Sequence, residues 1–337
     1  MCTTHAMGTV YLVTGAAGHL GSVVTEKLLA RGERVRALVL PGEKHIPEGV
    51  ESFTGNVCDR GSLEAFFTLP EGEEAVVIHA AGVVSIASKF QPLVRYVNVE
   101  GTRNILAACE AHRVRKLVHV SSVHAIPEKP HGETITEAER FDPALVVGCY
   151  AKTKAEATQL VLDAAARGLD ASVVHPSGIS GPHDNGRGHL TTLVIDYSKR
   201  RLTSALKGGY DFVDVRDVAD GILLCCDKGK RGECYILSNR YCEIPEILED
   251  LHEITGGPRV TRLLPLWFIK TVAPLAEAYY KLLRQPPLFT AYSIYTLNSN
   301  ALFSHDKAAR ELGYAPRYSI RDTLEDTVTW LKGQGRL

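Results

Sequence analysis

The feature that most constrains this chain is a short strand-like run, Val10 to Thr14, that ends in a glycine-rich turn and leads directly into a helix-length segment. The turn reads Gly15-Ala16-Ala17-Gly18-His19-Leu20-Gly21, with glycines three residues apart. Gly15 permits a tight turn, Gly18 lets backbone N–H groups approach a pyrophosphate, and Gly21 allows close packing of helix on strand. The spacing is Gly-x-x-Gly-x-x-Gly rather than Gly-x-Gly-x-x-Gly, so the turn needs support from the rest of the chain.

That support comes from the alternation of strand-like and helix-like segments in the first half. The predicted strands are Val10 to Thr14, Val35 to Leu40, Ala75 to His79, Lys116 to Ser121 and Ala171 to His175. The predicted helices are Leu20 to Ala30, Pro92 to Ala111 and Tyr150 to Arg167. Runs such as Val76-Val77-Ile78 lack polar alternation, which is typical of strands covered on both faces. The fold class predicted is therefore α/β, a doubly wound parallel sheet of the Rossmann type.

Beyond residue 179 the pattern changes and predicts a smaller, discontinuous C-terminal substrate domain. Residues 181–188 have loop composition, and Leu190 to Lys199 reads as a helix. A strand and helix follow over Phe212 to Cys226, then helical pieces over Ile244 to Thr255 and Trp267 to Leu283. We expect a dinucleotide-binding domain of residues 8–178 plus 211–241 and a substrate domain of residues 179–210 plus 242–332.

Composition narrows the class of partner. The 337 residues are 45% hydrophobic and 23% charged, which excludes a disordered, collagen-like or coiled-coil protein. Lysine and arginine number 38 against 39 aspartate and glutamate, so the net charge of −1 gives no basic surface for nucleic acid. The expected partner is a small molecule.

Cysteine usage and hydropathy predict a cytoplasmic, soluble chain. Eight cysteines occur without a Cys-x-x-Cys pair, which favours buried reduced thiols over a zinc site or a disulfide framework. No secretory leader is expected, because strand-like sequence begins at Thr9. The most apolar stretch, Leu263 to Ile269, is stopped by Lys270 and is too short to span a bilayer. Membrane contact is expected to be peripheral at most.

A hydroxyl, a phenol and an ammonium are placed where catalysis would need them. Tyr150 and Lys154 lie four residues apart at the start of a predicted helix, hence on one face. An unperturbed phenol has a pKa of about 10, and a neighbouring ammonium moves it toward a range useful for proton transfer. Ser121 and Ser122 end a predicted strand at the carboxyl edge, where such sheets bind ligands. Ser122 is favoured over Ser121 for the bond to a substrate oxygen.

The end of the second predicted strand should read the adenosine ribose. An acid there would bind the 2′-hydroxyl and repel a 2′-phosphate, whereas an arginine would bind that phosphate. Leu40 does neither, and Arg36 and Lys44 nearby could supply positive charge. The sequence therefore leans toward NADP without excluding NAD.

With these residues in place, the chain resembles the extended short-chain dehydrogenase/reductase superfamily over roughly residues 8–332. Six further motifs carry the resemblance alongside the glycine turn: His79-Ala80-Ala81-Gly82, Asn98 within Val97 to Thr102, Ser121-Ser122, Tyr150 with Lys154, His175-Pro176 followed by Gly181-Pro182, and Phe212 to Ala219.

The resemblance implies hydride transfer at the nicotinamide C4. It makes Tyr150 the acid/base, places Lys154 on the nicotinamide ribose, and places Ser122 on the reacting oxygen. It also implies a set of coenzyme-binding positions: Gly15, Ala17, Gly18, His19, Leu20, Leu40, Asn56, Val57, Ala80, Ala81, Gly82, Tyr150, Lys154, Pro176 and Ser177. No metal is implied.

Three positions call for separate comment. Asn56 stands where an Asp usually contacts adenine, and its amide oxygen can accept the same bond. His175 replaces a usual Arg before Pro176, and the sequence assigns it no role. Asn98 is either functional or a brace between helix and sheet.

Local features separate the branches of the superfamily. Dehydratases carry an acidic pair after the catalytic hydroxyl residue, where this chain has Val123-His124. Epimerases of nucleotide sugars carry an Arg and an Asn for the diphosphate, where this chain has Tyr210 and Ser177.

The C-terminal third resembles the 3β-hydroxysteroid dehydrogenase family and its dihydroflavonol-reductase-like relatives. The resemblance lies in Pro286 to Thr290, Tyr295 to Leu297 and Phe303 to Pro316. The segment from Leu263 to Leu283 is expected either to wall an apolar pocket with Trp267, Phe268, Tyr279 and Tyr280, or to be ordinary core.

The resulting hypothesis is an NAD(P)-dependent oxidoreductase that interconverts a secondary alcohol and a ketone on a hydrophobic, steroid-like substrate. The alternatives are a nucleotide-sugar epimerase with tightly bound NAD, a reductase of flavonoid-type or small ketones, and a dinucleotide-sensing regulator of the same fold. A homodimer is implied by the resemblance alone.

Overall fold

The structure is a computed structural model that describes residues 8–43, 46–85, 90–186, 188–264 and 291–337. The described strands are β1 (Gly8–Thr14), β2 (Arg34–Val39), β3 (Glu51–Thr54), β4 (Glu73–His79), β5 (Lys116–Val120), β6 (Ala171–Pro176), β7 (Gly178–Ser180), β8 (Ala205–Leu206), β9 (Gly209–Asp214), β10 (Cys234–Leu237), β11 (Arg240–Glu243) and β12 (Leu263–Leu264). The described α-helices are α1 (His19–Ala30), α2 (Glu64–Phe67), α3 (Pro92–Arg95), α4 (Thr102–Ala111), α5 (Cys149–Ala166), α6 (His189–Ser198), α7 (Val215–Lys228), α8 (Ile244–Thr255), α9 (Ala291–Asn298), α10 (Asp306–Leu312) and α11 (Ile320–Gly333).

Seven parallel strands form the main sheet, in the order β10-β6-β5-β4-β1-β2-β3. Strand order reverses between β1 and β4, whose ends lie level because Thr14 pairs with His79. In a doubly wound sheet the crevice at such a reversal binds the ligand. The predicted fold class is confirmed, and the five predicted strands lie within two residues of the observed ones.

Two strands of the main sheet escaped prediction. β3 is an edge strand whose sequence Glu51-Ser52-Phe53-Thr54 is mostly exposed, so it carries no apolar run. β10 is buried but only four residues long. Both strands are recognised by their hydrogen bonds to a neighbouring strand. The periodicity within one segment carries no information about such pairing.

Helices cover both faces of the sheet. On one face, α1, α7 and α10 enclose a core with the valines of β1, β4 and β5. On the other face, α4 and α5 enclose a second core. The two cores explain why the central strands are apolar on both sides.

The predicted helix from Pro92 to Ala111 contains a break in pitch. Between α3 and α4 the segment Tyr96–Gly101 is π-helical, and Asn98 lies within it. Wide turns of this kind are rare and recur at functional sites. One extra residue shifts the apolar pattern by about 100°, and a six-residue segment is too short for that shift to be recognised from periodicity.

The C-terminal part forms a third core on α6, α8 and α11, beside two small sheets. One is β11-β9-β7 and the other is β12-β8. Arg216 joins this part together, since it pairs with Asp214 at 2.8 Å and with Asp326 at 2.6 Å. The predicted division into two domains stays a prediction, and the predicted helix from Trp267 to Leu283 lies outside the described residues. Among the described helices, none is both long and apolar enough to cross a membrane.

Candidate active site

The two serines at the end of β5 face different surroundings. The Ser121 hydroxyl lies 2.6 Å from the Thr158 hydroxyl, buried between the sheet and α5. Ser122 caps the short 3-10 turn that follows β5, and its Oγ accepts the backbone N–H of His124 at 3.2 Å. Ser121 is therefore committed to packing, and Ser122 is the hydroxyl at the carboxyl edge of the sheet.

Helix α5 brings the phenol and the ammonium to the same edge. Tyr150 and Lys154 both lie in the first two turns of α5 and are buried. The Lys154 Nζ donates a hydrogen bond to the Val120 carbonyl at 2.9 Å, which ties α5 to the last residue of β5. Burial lowers the pKa of Lys154 to about 8, because a charged ammonium is poorly solvated there.

The loop after β4 closes on Lys154 from the other side. A side chain at Gly82 would place its Cβ 3.3 Å from Lys154 Nζ and 3.2 Å from Asn98 Oδ1. Glycine at this position therefore keeps the approach to the ammonium open.

Asn98 holds that loop against α5. Its Oδ1 accepts the Val83 N–H at 2.8 Å, and its Nδ2 donates to the Val83 carbonyl at 3.0 Å and to Thr153 Oγ1 at 3.1 Å. With its amide engaged on both atoms, Asn98 has the contacts of a brace between the π-helical segment, the β4 loop and α5.

The glycine turn forms a cradle at the start of α1. Gly15 has φ 74°, and a Cβ there would lie 2.7 Å from the backbone N of Ala81. A Cβ on Gly21 would lie 2.0 Å from the Gly15 carbonyl oxygen. Gly18 is the N-cap of α1, with no side-chain cap and no acidic residue in the first turn. The N-terminal N–H groups of α1 therefore have neither a side-chain cap nor a first-turn carboxylate, which suits a bound pyrophosphate.

Neighbouring coenzyme positions lie around this cradle. Thr14 Oγ1 accepts the Ala81 N–H at 3.2 Å, and Ala80 N donates to the Thr14 carbonyl at 3.2 Å, so the ends of β1 and β4 are locked together. The His19 ring donates from Nε2 to the Pro182 carbonyl at 2.9 Å, because a carbonyl can only accept. Ala17 and Leu20 are half-buried.

The predicted adenine end is made by the loop after β3. Asn56 is exposed, and its Oδ1 already accepts the Cys58 N–H at 2.9 Å. Val57 is buried against Gly101, where a Cβ would lie 2.8 Å from a Val57 methyl group. A carbonyl oxygen has two lone pairs, so Asn56 can accept one further hydrogen bond.

Arg36 does not supply positive charge at the ribose end, which corrects the sequence-based expectation. Its side chain is 7% exposed and runs back along β2, where it pairs with Glu51 at 2.8 Å. It also donates to the Thr68 carbonyl at 2.7 Å and stacks on the Phe53 ring at 4.8 Å. Lys44, the other expected source of charge, lies outside the described residues.

His175 has a structural contact that the sequence did not reveal. Burial lowers its pKa to about 4, so the ring is neutral. Its Nδ1 donates to the Ser122 carbonyl at 2.9 Å, and the ring stacks on Phe141 with centroids 5.1 Å apart. His175 therefore fixes the backbone of Ser122 from β6. Pro176 ends β6 and Ser177 follows it, and both residues are buried.

A cavity of about 230 Å³ opens beside this edge. Its described lining is mixed: Val123, His124, Ile126, Glu128, Ile135, Leu145, Val146, Val147, Tyr210, Tyr295, Thr296, Ser299, Asn300 and Phe303. The expected wall of Trp267, Phe268, Tyr279 and Tyr280 lies outside the described residues.

His124 and Tyr210 form the polar end of this cavity. The Tyr210 hydroxyl lies 3.1 Å from His124 Nε2, and the two rings stack at 5.6 Å. The His124 ring also packs edge-on against Tyr150, with centroids 6.0 Å apart. Sequence reasoning used both residues only to exclude other branches. The available sequence signal for His124 was its position two residues after Ser122. Nothing in the sequence indicated that His124 contacts Tyr210.

The residues present fit a dinucleotide. Two glycine positions where a Cβ would collide with backbone, a helix N-terminus without its own cap, and an open approach at Gly82 lie along the crevice between β1 and β4. The predicted catalytic residues lie around the end of β5, because Lys154 bonds the Val120 carbonyl while Ser122 and Tyr150 each contact His124.

Comparison with known proteins agrees with this architecture. A family model described as the NAD dependent epimerase/dehydratase family matches residues 11–238. The solved structure of a protein named gox2253 superposes with a TM-score of 0.83 at 30% identity, covering 97% of this chain and 99% of that one.

Two relatives match nearly end to end. Sterol demethylase protein B of Methylococcus capsulatus is 35% identical over 335 residues, which are 97% of this chain and 99% of the relative. A putative dihydroflavonol 4-reductase of Synechocystis is 31% identical over 339 residues, which are 98% of this chain and 96% of the relative.

Proposed function

Because the chain belongs to the NAD dependent epimerase/dehydratase family, we propose that it is an NAD(P)-dependent oxidoreductase that interconverts a secondary alcohol and a ketone on an apolar, sterol-like substrate. The observation that carries the proposal is that Ser122, Tyr150 and Lys154 all lie around the end of β5, next to a cavity lined in part by apolar side chains. A relative named as a sterol demethylase protein supports the sterol-like class.

We infer the role of each of these side chains from its chemistry and its position. In the oxidative direction Tyr150 takes the proton of the substrate hydroxyl, while Ser122 hydrogen-bonds the same oxygen and fixes its position. Lys154, anchored to Val120, places a positive charge one helical turn from the phenol and favours the phenolate. The coenzyme, when bound, would accept hydride from the carbinol carbon or return it to the ketone.

The cavity supports an apolar substrate with a polar head. Its walls include Val146 and Val147 from the segment before α5 and Phe303 from the C-terminal part. Burial lowers the pKa of His124 to about 4, so the ring is neutral, with one nitrogen that donates a hydrogen bond and one that accepts. A ring skeleton would occupy the apolar part, with its carbinol directed toward Ser122 and Tyr150.

The test is absorbance at the reduced-nicotinamide band, with NAD and NADP in parallel, against steroids, flavonoid-type ketones and nucleotide sugars. Turnover confined to 3-hydroxysteroids or their ketones is the expected result. No signal across the steroid wells, with turnover of flavonoid-type ketones, would reject the substrate class.

A second measurement addresses the epimerase alternative. An epimerase regenerates its coenzyme within each turnover and would retain NAD stoichiometrically through purification. We expect the purified protein to release little nucleotide on denaturation. Stoichiometric NAD together with sugar interconversion would favour the epimerase. The homodimer, the peripheral membrane contact and the cytoplasmic location stay predictions.

A further inference from the structure

A turn follows β2 and brings the carboxylate of Glu43 back to the end of the strand. Leu40 follows β2 and is 46% exposed. Pro41 and Gly42 form the corner, Gly42 has φ 87°, and the Glu43 N–H donates to the Leu40 carbonyl at 3.2 Å. A turn of this type requires a residue of positive φ at its third position, which glycine supplies without strain.

The side chain of Glu43 then turns back over the strand. Its Oε2 accepts the Leu40 N–H at 2.8 Å. The carboxylate thus accepts the N–H at the tip of β2, and Glu43 is an exposed residue. This is the place in a doubly wound fold where the adenosine ribose is read.

The arginines of β2 do not offset this charge. Arg36 is paired with Glu51, and Arg34 is paired with Glu73. Both arginines lie N-terminal to the tip of the strand. Among the described residues, the charged group that contacts Leu40 is therefore the carboxylate of Glu43.

We propose that Glu43 is the acceptor for the hydroxyl groups of the adenosine ribose and makes this protein select NAD over NADP. The proposal rests on the proposed function only for the presence of a dinucleotide in the crevice. It replaces the sequence-based lean toward NADP, which depended on Arg36 and Lys44.

Glu43 favours NAD by attraction and disfavours NADP by repulsion. A carboxylate oxygen accepts hydrogen bonds from the 2′- and 3′-hydroxyl groups of NAD. The 2′-phosphate of NADP carries roughly −1.5 to −2 charges at neutral pH and cannot donate in this way. It must also displace Glu43 to reach the Leu40 N–H, close to a like charge.

The experiment measures nucleotide binding without substrate. Isothermal titration of the purified protein with NAD and with NADP should give an NAD affinity at least about tenfold higher. The fragments 5′-AMP and 2′,5′-ADP should show the same preference, because they differ only at the ribose. In Glu43→Gln the ratio of the NAD affinity to the NADP affinity should fall at least about threefold, mainly because NADP and 2′,5′-ADP bind more tightly.

A matched control separates the local effect from a general change in charge. Glu48→Gln removes the same charge from an exposed position in the following loop and should leave the preference unchanged. The melting temperatures of both variants should match that of the parent protein, since Glu43 is exposed and lies outside the cores.

The outcomes are distinct. Equal or tighter binding of NADP by the parent protein, or an unchanged preference in Glu43→Gln, would overturn the proposal for Glu43. Failure to bind either dinucleotide would instead reject the proposed function. Tight binding of NAD with no turnover of any alcohol would keep the role of Glu43 and remove the oxidoreductase.

Discussion

Tyr150 is a buried phenol in the first turn of α5, and its ring packs against His124 beside the cavity. We predict that Tyr150→Phe lowers kcat by at least about 10³-fold, because proton transfer by a positioned side chain contributes on this order. The dissociation constant of the coenzyme should change less than about threefold, since the ring and its packing remain. Steady-state kinetics and nucleotide titration give the two values.

The control for this substitution is Tyr197→Phe. Tyr197 is also buried, and its hydroxyl donates to the Pro258 carbonyl in a core that is separate from the site. It should keep kcat. Equal losses of turnover and coenzyme affinity in Tyr150→Phe would make Tyr150 structural.

His119 presents a different case, because it is buried without a polar partner. It is 1% exposed, and neither ring nitrogen has a hydrogen-bond partner among the described residues. Its ring packs on His79 at 5.2 Å, and burial holds its pKa well below 6.5. A buried polar group left without a partner costs about 1–3 kcal/mol.

We therefore predict that His119→Phe raises the free energy of unfolding by about 1 kcal/mol at pH 7. The gain should be larger at pH 5 than at pH 7. The sign follows from the lowered folded-state pKa: neutral His119 contributes stability above the unfolded value near 6.5, and this is lost as pH falls. Urea unfolding at both pH values provides the check, and a destabilised variant at pH 7 would show that the ring nitrogens are satisfied.

Among the elements, the β1–α1 connection has the tightest steric constraint. A Cβ at Gly21 would lie 2.0 Å from the Gly15 oxygen, whereas a Cβ at Gly18 would meet that oxygen at 3.2 Å. We predict that Gly21→Ala disrupts the turn, lowering the melting temperature by more than 10 °C or preventing soluble expression.

Gly18→Ala is the companion variant. It should fold with a melting temperature close to that of the parent protein but bind the dinucleotide about tenfold more weakly, because its methyl group stands where the pyrophosphate approaches the N-terminus of α1. Calorimetry and nucleotide titration separate the two effects. Unchanged binding in Gly18→Ala would place the pyrophosphate elsewhere.

Asn98 holds several elements together through contacts that no sequence pattern reports. Asn98 sits in a π-helical segment and holds the β4 loop to α5 through Val83 and Thr153. The sequence offered both a functional and a bracing interpretation. Which bonds an amide makes depends on the segments that reach it in three dimensions.

For the molecule as a whole, buried thiols make the free energy of unfolding depend on pH in the alkaline range. Burial raises the pKa values of Cys225, Cys234 and Cys242 to about 12, above the usual value near 8.5 in an unfolded chain. The folded state keeps these thiols protonated, so their contribution to stability is full below about pH 8.5 and is lost as pH rises.

Cys234→Ala tests this dependence. Between pH 8 and pH 10 under reducing conditions, the parent protein should lose about 2 kcal/mol more of its free energy of unfolding than the variant does. Chemical denaturation at the two pH values gives the difference. Parallel losses in both proteins would show that Cys234 does not govern the alkaline limit.

The candidate active site is assembled from several segments that are distant in sequence. Ser122 follows β5, Tyr150 and Lys154 open α5, His175 fixes the Ser122 backbone from β6, and Tyr210 comes from β9. The sequence proposed the first three because their residue types and strand positions follow the superfamily pattern. His175 and Tyr210 could not be placed, since their partners lie 53 and 86 residues away.

By itself, the amino-acid sequence determined five of the seven strands of the main sheet, the glycine turn and the phenol–ammonium pair, because each depends on local periodicity, on backbone freedom at glycine, or on spacing within one helix. The tertiary structure decided what each side chain meets. It turned Arg36 inward to Glu51, committed Ser121 to Thr158, and brought Glu43 back onto Leu40. Hydrogen bonds and ion pairs act over a few ångströms, and that distance is set by the packing of strands and helices on one another.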